Sequence, residues 1–170
     1  MTLRTATPAD ADLVCALVHE LGAYEKAAPG EVAATPATIA AALAADARPR
    51  LDALLAFADD GEPAGLALFF PAFSTWRANW GVYLEDLFVR PAYRGRGIGL
   101  ALFRAVAAAA VERGAERLEW VVLDWNALAL DFYRGLGAEA LDEWTKMRLT
   151  GDALAALADG AGDRPAPDHR

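Results

Sequence analysis

The stretch VYLEDLFVRPAYRGRGIGLALFRAVAAAA, residues 82–110, joins three unlike pieces without a break. VYLEDLFV (82–89) carries apolar residues on both alternating faces and is ended by Pro91, so it reads as a buried strand. YRGRGIG (93–99) places three glycines on alternate positions beside two arginines. From 97 to about 113 the apolar spacing is helical, with Ile98, Leu102, Val106 and Ala109 on the inner face. Gly114 suits the position just past that helix. RLEWVVLDW (117–125) is again strand-like. A strand, a helix and a second strand in this order make a right-handed parallel crossover, which fixes the class as α/β.

The glycines raise a chemical question. Gly95, Gly97 and Gly99 lie where the strand has ended and the helix begins. Glycine reaches backbone conformations closed to other residues and lets main chain approach a ligand closely. The first amides of a helix lack partners within it, and the helix dipole adds partial positive charge. With Arg94 and Arg96 beside them they form an anion site suited to a diphosphate. The dinucleotide fingerprint does not fit, because the third glycine comes one residue early and Leu100 holds its place. The GK[ST] ending of a P-loop is absent. A glycine-rich helix entry with solvated arginines is the other reading, and the loop alone leaves both open.

Outward from this segment the elements are simpler. Residues 2–6 suit a first strand, and Thr7-Pro8-Ala9-Asp10 is a helix start. Leu13, Leu17 and Leu21, with Val14 and Val18, give that helix one apolar face, and Gly22 should end or loosen it. Thr35-Pro36 opens a second helix, 36–45. LDALLAFA (51–58) and AGLALFFP (64–71), joined by DDGEP, form an antiparallel hairpin, and FSTWRANWG (73–81) reads as a loop. Asn126 can cap a short helix, 127–134, and EWTKMRL (143–149) reads as a last strand. The order is strand, two helices, three strands, helix, strand, helix, strand, giving a mixed sheet in one domain over residues 1–158. The segment 159–170 carries no core residue larger than alanine and is expected to be a mobile tail.

Composition narrows the partners. Sixteen Lys and Arg against 24 Asp and Glu give a net charge of −8, which disfavours nucleic acid and anionic membrane and attracts a small cation. Cys15 is the single cysteine, so no internal disulfide is possible. His19 and His169 are far apart, and no metal-ligand cluster is visible. The opening residues lack a signal-peptide core, and no apolar run has the length of a membrane span, so a cytoplasmic protein is expected.

The central stretch resembles the acetyl-coenzyme A-binding segment of the GCN5-related N-acetyltransferases, the GNAT family. Its signature, Q/R-x-x-G-x-G/A, is matched by Arg94-Gly95-Arg96-Gly97-Ile98-Gly99. YLEDLFV…YRGRGIG with VVLDWN…FYRGLGA downstream resembles the diamine branch, which includes spermidine/spermine and thialysine acetyltransferases. The likeness is strong over 82–149; earlier it rests on element order and on LGAYEK (21–26). It implies a mixed sheet with helices on both faces. It also implies that acetyl-CoA is the co-substrate, that no metal is required, that the acceptor is a small amine and that the enzyme is a homodimer.

The resemblance also implies roles. Backbone groups of Leu87, Phe88 and Val89 would pair with the pantetheine arm, and Arg94, Gly95, Arg96, Gly97, Ile98, Gly99 and Leu100 would hold the diphosphate. Asn126, Ala127, Leu128 and Ala129 would line the coenzyme's other side. Tyr133 takes the position of the general acid, and Glu85 that of the substrate-binding and base carboxylate. Tyr24 and Glu25 match the amine-binding pair, and Glu119 and Trp120 fall in a further substrate segment. From a regular strand only one of Glu85 and Asp86 can face the cleft; Glu85 is taken as the functional one and Asp86 as structural. Acids for a long polyamine are sparse around the substrate segment 21–35, only Glu20, Glu25 and Glu31, so a short diamine or a lysine-like amino acid fits as well as spermine. A carboxylate on such an amino acid would need a cation, for which Lys26 or Arg77 is available. A protein N-terminus, an antibiotic amine and a non-catalytic acyl-CoA sensor are the alternatives.

Overall fold

Successive residues of one long strand, Pro63–Ser74, alternate between two separate interiors: Leu66 and Leu68 enter one, Ala67 and Phe69 the other. The structure, a computed structural model, describes residues 1–160. In chain order it has β1 (Thr2–Thr5), a short 3-10 turn (Pro8–Asp10), α1 (Ala11–Tyr24), α2 (Pro36–Leu43), β2 (Asp52–Phe57), β3 (Pro63–Ser74) and β4 (Asn79–Val89). A second 3-10 turn (Pro91–Tyr93), α3 (Ile98–Glu112), β5 (Leu118–Glu119), α4 (Ala127–Gly135) and α5 (Gly151–Ala158) follow. The strands form one sheet in the order β1-β2-β3-β4-β5. The first three neighbouring pairs are antiparallel and β4–β5 is parallel. Mixed sheet and α/β class are as the sequence implies.

Two compact units result: Met1–Val121, which carries the whole sheet, and a second that begins at Val122 and carries α4 and α5. In the first unit helices cover both sheet faces. Val14 and Leu17 of α1 and Ile39 of α2 bury against Leu55, Leu66, Leu68 and Phe88. Ile98, Leu102, Val106 and Ala110 of α3 bury against Ala67, Phe69, Val82 and Leu84. The innermost face of α3 thus ends on Ala110 rather than Ala109.

Local chemistry explains most boundaries. Thr7 and Asp10 form a reciprocal capping box, and Arg4 pairs with Asp10 at 2.6 Å. Thr35 caps α2 by accepting from the Thr38 amide. Gly22 does not end α1, which runs on to Tyr24. A Cβ at Gly22 would lie 2.4 Å from Val32 Cγ2, so glycine is there for packing.

Three sequence expectations are corrected. FSTWRANWG is not a loop: β3 runs to Ser74 and β4 starts at Asn79, with only a four-residue turn between. Cross-strand aromatic pairs extend that ladder, Phe73 with Trp80 at 5.1 Å and Phe70 with Tyr83 at 5.3 Å. The strand expected at 117–125 is two residues long. Its ladder stops at Tyr83↔Glu119, where β4 acquires a bulge, and Val121, Leu123 and Trp125 are exposed. EWTKMRL forms no strand; Trp144, Met147 and Leu149 are exposed, and the helix α5 follows. The expected tail 159–170 lies, from 161 onward, outside the described residues.

Candidate functional site

β4 leads directly into the glycine loop. After Val89 the chain turns through Pro91–Tyr93, and Gly95 (φ 73°) and Gly97 (φ 78°) both adopt the left-handed conformation that side chains disfavour. A Cβ at either would meet nothing within 4 Å, so the backbone, not crowding, requires glycine there. Gly99 is different: its φ is ordinary, and a Cβ would sit 3.6 Å from Val89 Cγ2, a normal contact. Gly97 is the N-cap residue of α3, and no side chain caps that helix. The leading amides Ile98, Gly99 and Leu100 therefore open onto the loop without intrahelical acceptors.

The two arginines behave differently. Exposed Arg96 lies over the Tyr93 ring at 5.4 Å and borders a cleft of about 250 Å³ with Met1, Asp59, Asp60 and Ile98. Arg94 is half-buried and turns back from the loop. Its Nε donates to the Val89 carbonyl at 2.9 Å, and its guanidinium lies 4.3 Å from the centre of the Tyr24 ring. The Phe88 ring is 6.0 Å away.

The same strand holds the carboxylates. Leu68 faces Asp86 across the sheet, but the next residue, Phe69, faces Leu84, so Glu85 is an extra residue in a β-bulge. The bulge changes which way the strand points. Leu84 joins the α3 side with Phe69, whereas Asp86 shares the α1–α2 side with Leu68 and Phe88. Glu85 is exposed and Asp86 is half-buried. Burial, then the charges of Glu85 and Glu25, push the Asp86 carboxyl up to about 6. The assumption that only one of Glu85 and Asp86 could serve the cleft holds for a regular strand, and this strand is not regular.

Glu25 follows the last residue of α1, and burial raises its pKa. Tyr24 packs at the edge of the α1–α2 core. The structure thus brings Tyr24, Glu25, Glu85, Asp86 and Arg94 into one neighbourhood beside the strand that carries Leu87, Phe88 and Val89. Glu20 and Glu31 are engaged elsewhere. Glu20 forms a two-point pair with Arg90 at 2.6 and 2.8 Å, and Glu31 accepts from the Ala28 amide at 2.8 Å. Glu119 pairs with Arg117 at 3.0 Å, and Trp120 packs edge-on against Phe103 of α3 at 5.2 Å. Among the described residues no group of three or more His, Cys, Asp or Glu is placed to hold a metal.

The second unit carries the remaining sequence candidates on one helix. Asn126 caps α4 by accepting from the Ala129 amide at 3.2 Å, with Ala127 and exposed Leu128 in its first turn. Tyr133 lies in the same helix, its ring 5.1 Å from Phe132, and burial pushes its phenol up to about 12.

Two features of this neighbourhood leave no mark in the sequence. Asp86 reads as structural because VYLEDLFV is apolar on both faces, so no phase reveals the bulge. The return of Arg94 onto Tyr24, 70 positions earlier, has no local signal at all.

Comparison with known proteins points one way. The acetyltransferase (GNAT) family model matches residues 21–138. A thialysine N-epsilon-acetyltransferase of Bos taurus is 36% identical over 169 residues, covering 92% of this chain and 96% of that one. An L-ornithine N5-acetyltransferase of Arabidopsis thaliana is 49% identical over 94 residues, 55% of this chain; the matched part is 41% of that relative's length. A solved integron cassette protein from the V. cholerae mobile metagenome superimposes with a TM-score of 0.73 at 25% identity, covering 92% of this chain.

Proposed function

Because the chain belongs to the GNAT acetyltransferase family and is an N-acetyltransferase, we propose that it moves the acetyl group of acetyl-CoA to a primary amine on a small cation. The observation that carries this reading is the double use of β4. Its bulge presents Asp86 and Glu85 near Glu25, and its end feeds the uncapped amides of α3. One strand therefore serves a cationic acceptor and an anionic carrier.

The residues present fit the coenzyme. Gly95 and Gly97 are held left-handed, the α3 amides are uncapped, and Arg94 and Arg96 add charge. In this reading the loop from Arg94 to Leu100 holds the diphosphate and Leu87 to Val89 pair with the pantetheine arm. Asn126 to Ala129 are the coenzyme contacts that the family resemblance assigns to the second unit. Acetyl-CoA supplies the activated acyl group. The chain's own task is to bind and deprotonate the amine, since an alkyl ammonium has an unperturbed pKa near 10.4 and only the neutral form attacks. Tyr24, Glu25 and Glu85 bind the cation. Asp86, pushed up to about 6, is suited to accept a proton near neutral pH, directly or through water. Tyr133 keeps its proton at every physiological pH and donates a hydrogen bond to the departing sulfur.

The acceptor class follows from the relatives' printed activities, thialysine and L-ornithine acetylation, together with the three clustered carboxylates. Both named acceptors carry a side-chain amine on a short chain. A diamine or a lysine-like amino acid is therefore proposed ahead of a long polyamine, whose extra charges would find Glu20 and Glu31 already engaged. The family match, 21–138, crosses the boundary between the two compact units at Val121, which supports reading 1–158 as one catalytic domain. A homodimer in the cytoplasm completes the proposal. Exposed Leu141 and Met147 of the second unit favour a covering partner, and sedimentation measures it.

Thiol release from acetyl-CoA with a panel of thialysine, ornithine, cadaverine and spermidine tests the function. Release with the short amines supports it. Coenzyme binding without transfer to any amine would make the protein a sensor. Transfer only to peptide N-termini or antibiotics would move the acceptor class.

A further inference from the structure

We infer that Arg94 is a positioning residue that couples occupancy of the glycine loop to the pose of Tyr24 on the amine side. The inference rests on the acyl-coenzyme A reading above and concerns how its two halves communicate.

The geometry has three parts. Arg94 is the first residue of the loop, yet its side chain turns back over Tyr24, its Cζ 4.3 Å from the centre of the ring, with its Nε held by the Val89 carbonyl at 2.9 Å. Tyr24 is the final residue of α1, and Glu25, whose charge reaches Asp86, comes next. A guanidinium carries five N–H donors in its plane, and only the one on Nε is used within the described residues. Its η nitrogens thus still offer donors while its Cζ lies over an aromatic ring. Face and edge are independent surfaces, so one Arg can stack and donate at once.

The consequence is a link. An anion held by the loop amides would draw the free η N–H groups and remove rotamer freedom from the Arg94 side chain. A pinned guanidinium is a better platform for the Tyr24 ring than a mobile one, so the two events favour each other. Reciprocity then requires that disturbing Tyr24 weaken diphosphate binding, although Tyr24 lies on the amine side. A cation–π contact of ordinary strength corresponds to about a fivefold effect. Lysine in place of Arg94 keeps the charge but has no plane to share, so it should bind the anion and lose the link.

The test needs no amine and no turnover. Coenzyme A is titrated calorimetrically into wild type, Tyr24→Leu, Arg94→Lys and the double variant. Tyr24→Leu is expected to weaken coenzyme A about fivefold in the wild-type background and to leave it unchanged in the Arg94→Lys background. Tyr24→Phe keeps the ring and is expected to keep wild-type affinity, which also guards against a misfolded Leu variant. In kinetics, Arg94→Lys should raise the amine KM about fivefold. Unchanged coenzyme affinity in Tyr24→Leu, effects that simply multiply in the double variant, or equal loss in Tyr24→Phe would each overturn the coupling while leaving the acetyltransferase reading intact. Failure of wild type itself to bind coenzyme A would overturn both.

Discussion

Asp86, in the role proposed for it, would be costly to the fold and useful to the reaction. It is half-buried, and burial followed by the charges of Glu85 and Glu25 pushes it up to about 6. A carboxyl raised above its unfolded value stabilises the fold when protonated. That stability is fully present below the unfolded pKa, near 3.9, and is lost as pH rises through about 6. Asp86→Asn removes the buried charge, so its melting temperature should exceed wild type at pH 8 and match it at pH 4. The gain is roughly 2–4 °C for each kcal/mol recovered. Catalysis runs the other way, because only the ionised form accepts a proton. The same variant should lose the acid limb near pH 6 in kcat/KM and fall about 10²–10⁴-fold at pH 7.5. Paired melts and pH–rate profiles read both signs, and a variant that is neither more stable nor slower removes Asp86 from the mechanism. Tyr133 makes a simpler case. Its phenol, at about 12, stays protonated, so Tyr133→Phe should lower kcat about 10²-fold or more and leave coenzyme A affinity within twofold.

At the scale of the element, the glycine loop separates what the fold needs from what a ligand needs. Gly97 is left-handed (φ 78°), and alanine there carries strain of roughly 1–2 kcal/mol. Gly97→Ala should therefore lower both the melting temperature and coenzyme affinity. Gly99 has an ordinary φ and room for a Cβ, so Gly99→Ala should melt like wild type. Its coenzyme A affinity should nonetheless fall about tenfold if bare backbone there meets the diphosphate. Thermal melts beside calorimetric titrations decide it; unchanged affinity in Gly99→Ala would leave that glycine without a ligand role. This loop was legible in sequence because glycine spacing, flanking arginines and the helical repeat of Ile98, Leu102 and Val106 all act locally. The β4 bulge was not, since an extra residue in a strand apolar on both faces leaves no mark on the pattern. The hairpin tip was hidden for a related reason: FSTWRANWG is turn-rich, and only the pairing of Phe73 with Trp80 makes it strand. EWTKMRL failed in the opposite direction. Its alternation over 146–149 is real, but a strand needs a neighbour, and sequence alone names none.

For the whole molecule the governing quantity is charge. The chain carries 16 basic and 24 acidic residues, a net −8, yet its two proposed ligands have opposite signs. The anionic carrier must be held by local features, the α3 amides with Arg94 and Arg96, against a repulsive overall field. The cationic acceptor is drawn both by the field and by Glu25, Glu85 and Asp86. Salt should therefore act unequally. The Debye length falls from about 30 Å at 0.01 M to about 3 Å at 1 M, which removes the long-range attraction but leaves close contacts largely intact. Raising ionic strength from low to about 0.5 M should raise the amine KM several-fold, with kcat little changed. The rise should be steeper for spermidine than for cadaverine, and shallower for thialysine, whose carboxylate lowers its net charge. Coenzyme A affinity should weaken far less, because lost repulsion offsets part of the lost local attraction. Initial-rate kinetics across a salt series measure all four responses on one preparation. An amine KM indifferent to salt and to acceptor charge would mean that the acidic surface does not recruit the substrate, and that recognition rests on contacts within the site alone.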